Sequence, residues 1–559
     1  MTETAGDTVA GRQAAGQKVN SVRAVGTRAV LAELSGTPGV LALQALLLET
    51  PMPGQLDVLA AAETVLVTAD SPVSARRIAA QLLRLDLTAP VQREGGLVVI
   101  DTVYDGEDLA EVGELTGLGP EGVIAAHTGQ VWTVAFAGFA PGFGYMLGEN
   151  QVLNVPRRAS PRTAVPAGSV ALAGDYSAVY PRSSPGGWQL IGRTGAKMWD
   201  LDREEPALAS PGHRVRFRAV REAVVVGPER PPASAAAPEA GSGLRIAVPG
   251  LQSLIQDLGR YGHSGLGVSA AGALDRASLR RANRLVGNAP PAAAIETVAG
   301  GLKVQAVGDQ ILAVAGAPSE LVIETPQDPG SDEIRERTVP MAAPFALLDG
   351  QTLTVGQPAA GFRSYLGLRG GVDAPRVLGS RSTDTMSGIG PAPLAAGQVL
   401  ACGTEAVSGV VGDPELQPQF PGSGVTVLDV VPGPRADWFD PAALDSFINQ
   451  EWAVKPQSNR VGMRLDGAPL QRSHAGELPS EGTVAGALQV PPEGLPVLFL
   501  ADHPITGGYP VIAVVVDSQL DLTAQVPIGG KIRFRWAPSA AAPAAAGPER
   551  LTTEGTAGP

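Results

Sequence analysis

The residues from Ser183 to Thr194 read Ser-Ser-Pro-Gly-Gly-Trp-Gln-Leu-Ile-Gly-Arg-Thr. Pro185 fixes φ, and Gly186 and Gly187 reach backbone angles closed to other residues, so the turn delivers Trp188 into a short apolar strand, Trp188 to Ile191. That strand ends in a guanidinium fork and a hydroxyl, Arg193 and Thr194, a pair that suits a carboxylate or phosphate. The same residues also read as a β-turn, a core tryptophan and a solvated arginine. Other chemistry-bearing patterns fail on spacing. The segment from Gly192 to Lys197 ends Gly-Ala-Lys and is no phosphate loop. Gly262-His263-Ser264-Gly265-Leu266 lacks the last glycine of a nucleophile elbow. Ala196-Lys197-Met198 lacks the methionine that precedes a biotinyl-lysine. His127, His213, His263, His474 and His503 show no metal-ligand spacing, so no metal site is expected.

Composition limits the class of protein that positions these groups. With 559 residues the chain holds several domains, and 44% hydrophobic residues can build large cores. The 42 basic residues are outnumbered by 55 acidic ones, a net charge of -13, which argues against a nucleic-acid or anionic-membrane binder. Cys402 is the only cysteine, so no intramolecular disulfide forms, and a reducing cytoplasm is the expected setting. No window approaches the ~18 apolar residues of a membrane span, and Met1 to Lys18 lacks the apolar core of a signal peptide.

Along the chain, residues 1–20 read as a flexible tail. Residues 21–128 alternate strands and helices: Val22 to Glu33 with a bend at Gly26-Thr27-Arg28, a helix from Gly39 to Glu49, a strand from Thr64 to Thr68, and a helix from Ser71 to Leu85. That alternation predicts an α+β domain of the split βαβ kind. From 129 to 226 short β runs punctuated by Gly and Pro predict a barrel or sandwich. Residues 227–243, rich in Pro and Ala, read as a linker. Residues 244–536 are again β-rich, in two subdomains, with one long helix from Ala273 to Val286 that ends at Gly287, where a C-cap glycine belongs. Residues 537–559 read as a disordered tail.

Two sets of motifs then stand out. The first is Ala125 to Gly129 (Ala-Ala-His-Thr-Gly), Phe136 to Tyr145, Pro156-Arg157-Arg158, Pro161-Arg162, Val165 to Val170 and the turn that ends at Thr194. It resembles the B subunit of 5-oxoprolinase, the family also labelled allophanate hydrolase subunit 1. The second includes Gln256 to Arg260, Gly272 to Asp275, Ala282 to Asn288, Arg369 to Asp373, Leu378 to Asp384, Ser480-Glu481-Gly482, Gln489 to Pro492 and Thr506 to Pro510. It resembles the C subunit of the same enzyme, also called allophanate hydrolase subunit 2 or the biotin-dependent carboxyltransferase family. The resemblance runs from about Val22 to Trp536 and implies a natural B–C fusion. It implies a mainly β protein with an α+β N-terminal part and tandem cyclophilin-like β-barrel domains.

The resemblance also implies function. In 5-oxoprolinase, ATP with Mg²⁺ drives opening of the 5-oxoproline lactam to glutamate, together with a separate A subunit. In urea amidolyase the equivalent domains move a carboxyl group from carboxybiotin, carried on a partner, to urea. Relatives of both halves also act as regulators of a sporulation histidine kinase. The chain carries neither an ATP-grasp nor a biotinyl domain, which favours the 5-oxoprolinase reading. A small-molecule substrate and an A-subunit partner follow from it, and a homo-oligomer stays open.

A lactam-opening site needs anion binders, a carboxylate and donors for a developing oxyanion. In the B half the candidates are His127, Arg162, Ser169, Tyr180, Arg193 and Thr194. His127 is either a proton carrier near neutral pH or a helix-end histidine satisfying the last carbonyls. Arg162 and Arg193 hold an anion or pair with acids such as Asp175 or Asp200. Phe139 and Tyr145 line a pocket or pack a core. In the C half the candidates are Gln256, Asp257, Arg260, Asp275, Asn283, Asn288 and Glu296, then Arg460, Ser480, Glu481, Gln489, Thr506 and Tyr509. Of these, His127, Asp257, Glu481 and Tyr509 are the catalytic candidates. Asp257 holds a metal or caps a turn. Asn283 shares a helix face with Arg276 and Arg280, either an anion site or a solvated face. The family's Ser-Asp-Arg reads Ser458-Asn459-Arg460 here, which removes a carboxylate.

Overall fold

Four strands and two helices build the first layer: Ser21–Val25 (β1), Ala29–Glu33 (β2), Thr37–Glu49 (α1), Gln55–Ala60 (β3), Thr64–Ala69 (β4) and Pro72–Leu82 (α2). In this computed structural model the described residues are 18–87, 96–222, 241–326, 334–474, 476 and 478–538. The strand order is β1-β2-β4-β3, and β2 and β3 both run antiparallel to β4. They are therefore parallel to each other, joined through α1 with β4 between them, which is the expected split βαβ. Side chains alternate across a strand. Val30, Val58, Val65 and Val67 face α1 and α2 in one core. Leu31, Leu59 and Leu66 lie on the other face and pack with Ala487, Phe499, Ile505, Val511 and Val514. The sheet is thus covered by its own helices on one side and by the C-terminal part of the chain on the other.

The second, seven-stranded sheet runs in the order 189–193, 169–173, 176–179, 144–147, 132–137, 214–219, 97–102. The strand at 97–102 lies parallel to 214–219. Helices Leu109–Thr116 (α3) and Gly119–Thr128 (α4) share a core with this sheet. The chain therefore leaves the first layer before Gly96 and not at residue 128, because edge pairing with 214–219 recruits the strand and both helices.

In the C-terminal half a seven-stranded and a five-stranded sheet face each other across one core, which mixes Leu244, Val304, Ile323 and Leu353 from the first with Ile295, Val314 and Leu366 from the second. Residues 425–536 then close a barrel. Helix Arg276–Leu285 (α5) is capped by Asp275, whose carboxylate accepts from Ser278 N, and stops before Gly287 at φ +73°. The fold is mainly β with an α+β beginning and barrel-like sheets, in line with the expectation. Most of the expected linker and tails lie outside the described residues, although Gly243 already starts a strand and Val19 is buried. Among the described residues no helix is long and apolar enough to cross a membrane.

Candidate functional site

Gly26 turns β1 into β2 at φ +68°, and a Cβ there would stand 2.8 Å from Val514 Cγ1. Only glycine lets this hairpin lie so close to the C-terminal barrel. Beside the contact is a cavity of about 190 Å³. Its walls come from the hairpin turn at 25–29, from β3 and β4, from residues 261–276, and from the barrel rim at 483–486 and 499–505. Leu59, Leu66, Val268, Phe499, Ile505 and Val514 make it apolar, while Arg28, Asp57, Arg276, Thr483, His503 and Asp517 supply polar groups.

His503 supplies the imidazole of this cavity. Its Nδ1 lies 2.9 Å from Pro504 O. A carbonyl only accepts, so Nδ1 carries the proton and Nε2 keeps the lone pair. Burial lowers its pKa, which keeps the imidazole neutral at physiological pH. The ring stacks on Phe499, and Thr483 Oγ1 sits 3.3 Å from Nδ1. Across the cavity, burial raises the pKa of Asp57, whose carboxylate accepts from Ser264 Oγ at 2.7 Å and Gly262 N at 3.0 Å. Arg28 Nη2 pairs with Asp517 at 3.0 Å, and Arg276 stands 3.7 Å from both Asp517 and Asp521.

Behind the wall lies a buried charge network centred on Arg460. Its guanidinium donates to both oxygens of Asp502 at 2.9 and 3.1 Å, to Glu296, and to Gly272 O at 2.6 Å. Glu296 also accepts from Tyr365 Oη at 2.6 Å and from Leu274 N at 3.1 Å. Burial pushes the Glu296 pKa up, but Arg460 and Arg363 outweigh it and hold the carboxyl below its ordinary value. Asp502 precedes His503, and Leu274 lines the cavity. Arg460 thereby ties two cavity walls, 272–274 and 502–503, to one cation. Its neighbour Asn459 uses Oδ1 to accept from Val461 N at 2.9 Å and Gly462 N at 3.3 Å. An aspartate would accept the same turn bonds, so the departure from the family pattern is local turn chemistry.

None of the candidate site residues chosen from the sequence lines the cavity. In the B half they gather on the second sheet. His127 is sealed between Tyr104 Oη at 2.7 Å and Ser177 Oγ at 2.9 Å, and burial draws its pKa down to about 3. It is not the proton carrier near neutral pH that the sequence allowed, because the charged ring would lose its hydration. The unfolded imidazole binds its proton near 6.5 and the folded one only near 3, so stability from this group is complete above about 6.5 and falls as the pH drops towards 3. The His127 ring resonances should therefore stay constant between about pH 5 and 8; a midpoint inside that range would contradict the burial argument.

Arg162 pairs with Asp108 at 2.8 Å and Glu107 at 3.1 Å, not with Asp175 or Asp200, and Arg193 pairs with Asp105 at 2.8 Å. Buried Asp108 also takes the Leu190 N–H at 2.7 Å and so pins the strand after the Pro-Gly-Gly turn. Nothing in the local sequence marks Asp108 for that task. Ser169 pairs opposite Arg193, and Thr194 Oγ1 accepts from Ala196 N. Tyr180, its pKa pushed up to about 12 by burial, packs edge-on against Phe143, which also meets Phe139, Tyr145 and Trp188 in the aromatic core.

In the C half, Asp257 accepts from Ser380 Oγ, Arg381 N and Gly259 N at 2.6, 2.7 and 2.8 Å. Those donors, with Ser382 Oγ, make it a loop-closing node and leave no role as a metal ligand. Gln256 donates to Thr383 O, and Arg260 is buried against Ser382 O. Asn283 is buried and donates to Ala292 O at 2.7 Å, so it is neither an anion binder nor part of a solvated face. Asn288 donates to Leu368 O. Glu481 grips Arg435 at 2.9 Å, and Arg435 reaches Glu33 of β2 at 2.7 Å, so this pair clamps the N-terminal sheet to the barrel. The Ser480 carbonyl adds a bond from Ala62 N. Gln489 donates to Tyr509 O, Thr506 pairs with Gly482, and Tyr509 is exposed.

A nucleoside triphosphate with Mg²⁺ does not fit the cavity. Its volume lies below the ~300–1,000 Å³ of sites for drug-sized ligands. Among the described residues no three His, Cys, Asp or Glu stand together to hold a metal ion.

Known proteins match this architecture. Residues 20–209 match the carboxyltransferase domain, subdomain C and D, and residues 266–536 match its subdomain A and B. The 5-oxoprolinase C subunit of Escherichia coli (strain K12) is 36% identical over 297 residues, 52% of this chain and 90% of that protein. The 5-oxoprolinase B subunit of Escherichia coli O157:H7 is 43% identical over 137 residues, 24% of this chain and 63% of that protein. Urea amidolyase of Saccharomyces cerevisiae is 32% identical over 315 residues, 52% of this chain, but the match spans 16% of that protein. The crystal structure of TTHA0988 superimposes with a TM-score of 0.78 at 34% identity, covering 91% of this chain and 99% of that one. The chain belongs to the carboxyltransferase-domain family, with one half like the B subunit of 5-oxoprolinase and the other like its C subunit, joined in one polypeptide.

Proposed function

We propose that this chain is the B–C component of an ATP-dependent 5-oxoprolinase and that its interdomain cavity holds the lactam for opening to L-glutamate. The supporting observation is the neutral His503 in a cavity whose walls need both halves of the chain. A small, largely apolar cavity with few polar groups fits a metabolite of this size. The nucleotide site and the ATP-driven activation fall to a separate A subunit. This chain binds and orients the lactam, and His503 Nε2 takes the proton of the attacking water. As the C–N bond breaks, that proton passes to the departing ring nitrogen.

The test is reconstitution with the A subunit. The complex should hydrolyse ATP in the presence of 5-oxoproline and release glutamate. Carboxyl transfer from a biotinylated partner to urea, with no response to 5-oxoproline, would overturn the reading in favour of a urea carboxylase component.

A further inference from the structure

The hairpin turn that enters the cavity carries two polar atoms left over by the fold. Thr27 Oγ1 and Arg28 Nε are both buried and have no hydrogen-bond partner among the described residues. Both residues line the cavity. The Arg28 guanidinium meets Asp517 through Nη2 at 3.0 Å, and its charge also acts on Asp70. Asp517 is itself shared with Arg276, 3.7 Å away. The other cavity carboxylate, Asp57, is engaged by Ser264 Oγ and the Gly262 and Val58 N–H groups. The turn thus carries a hydroxyl and a guanidinium N–H that are both unpaired and closed to solvent until a side chain turns. A buried donor without an acceptor is costly, and a guanidinium edge is the donor best matched to a planar anion.

Building on the 5-oxoprolinase reading, we propose that Thr27 and Arg28 form the carboxylate anchor of the cavity and select a lactam bearing a carboxylate over a neutral amide. The carboxylate accepts from the Arg28 guanidinium, whose side chain is 41% exposed, and from Thr27 Oγ1 once that hydroxyl turns into the cavity that also holds His503. A neutral substrate such as urea leaves both donors unmatched, so the anchor is also a filter. Gly26 supports it, because its φ of +68° brings the turn against Val514.

The test compares 5-oxoproline with 2-pyrrolidinone, the same lactam ring without the carboxylate, in the complex with the A subunit. The wild type should prefer 5-oxoproline in kcat/KM. Arg28→Met should cut that preference about 10- to 100-fold, mainly through KM, and Thr27→Val by a smaller factor in the same direction. Arg28→Lys should restore part of it. A generally loosened fold would lower both substrates together and leave the ratio unchanged. An unchanged ratio in Arg28→Met, with 5-oxoproline still turned over, overturns the anchor and leaves the 5-oxoprolinase reading standing. No turnover of 5-oxoproline by the wild-type complex overturns both.

Discussion

Replacing Arg460 by Met should destabilise the protein by about 3–5 kcal/mol. The side chain is 1% exposed and is the shared partner of Glu296 and Asp502, neither of which has measurable side-chain exposure. Methionine fills most of the volume, so the loss is electrostatic: Asp502 stays buried without its paired cation, and Glu296 keeps only Arg363, 3.8 Å away. The effect should also depend on pH. The Glu296 pKa is held below its ordinary value in the fold. The stability it contributes is present above the unfolded value and lost as pH falls through the folded one. The difference between wild type and Arg460→Met should therefore shrink in acid. Urea denaturation across that range checks it, and a loss below about 1 kcal/mol at neutral pH would show that the network is not what holds the 272–274 and 502–503 walls.

Much of the framework was legible in the sequence. The strand-helix alternation of residues 21–82 becomes the split βαβ layer, and Gly287 ends α5 because its left-handed φ is available only at low cost to glycine. Trp188 is core, one of the two roles open to it in the sequence. The cavity was not legible, for a physical reason. Its walls come from residues near 26, 57, 66, 268, 484 and 503, and no local period links them. In the sequence Arg28 is only part of a bend, and His503 only one of five histidines without metal spacing. One signal was present: Leu31, Leu59 and Leu66 make the strands apolar on both faces, so a second layer had to cover them. The motif residues mislead in the other direction. Asp257, Asn283 and Asn288 mark loops that must close in one way, and their hydrogen bonds are spent on backbone and hydroxyl groups.

The second large effect concerns His503. His503→Gln keeps a polar side chain of similar reach but removes the basic Nε2. The complex should lose about 10²- to 10⁴-fold in kcat for 5-oxoproline-dependent ATP hydrolysis, the usual weight of a general base. Stability should change little compared with Arg460→Met, because the ring bonds only to neutral groups, Pro504 O and Thr483, among the described residues. The wild-type rate should fall in acid with a midpoint below the ordinary 6.5 of histidine, since burial lowers the pKa of this ring and only the neutral form accepts a proton. In His503→Gln that acid limb should disappear from the residual activity.

A variant that closes the cavity separates the space from the base. Ala485 lines the cavity and is half-buried, so Ala485→Trp adds an indole without opening a core. The most direct measurement is 5-oxoproline-dependent glutamate release by this variant in complex with the A subunit, alongside its melting temperature. A release rate at least about 100-fold below wild type with an unchanged melting temperature is the result predicted for a cavity that is the lactam site. Release at the wild-type rate from the blocked but folded protein would place the chemistry elsewhere in the chain.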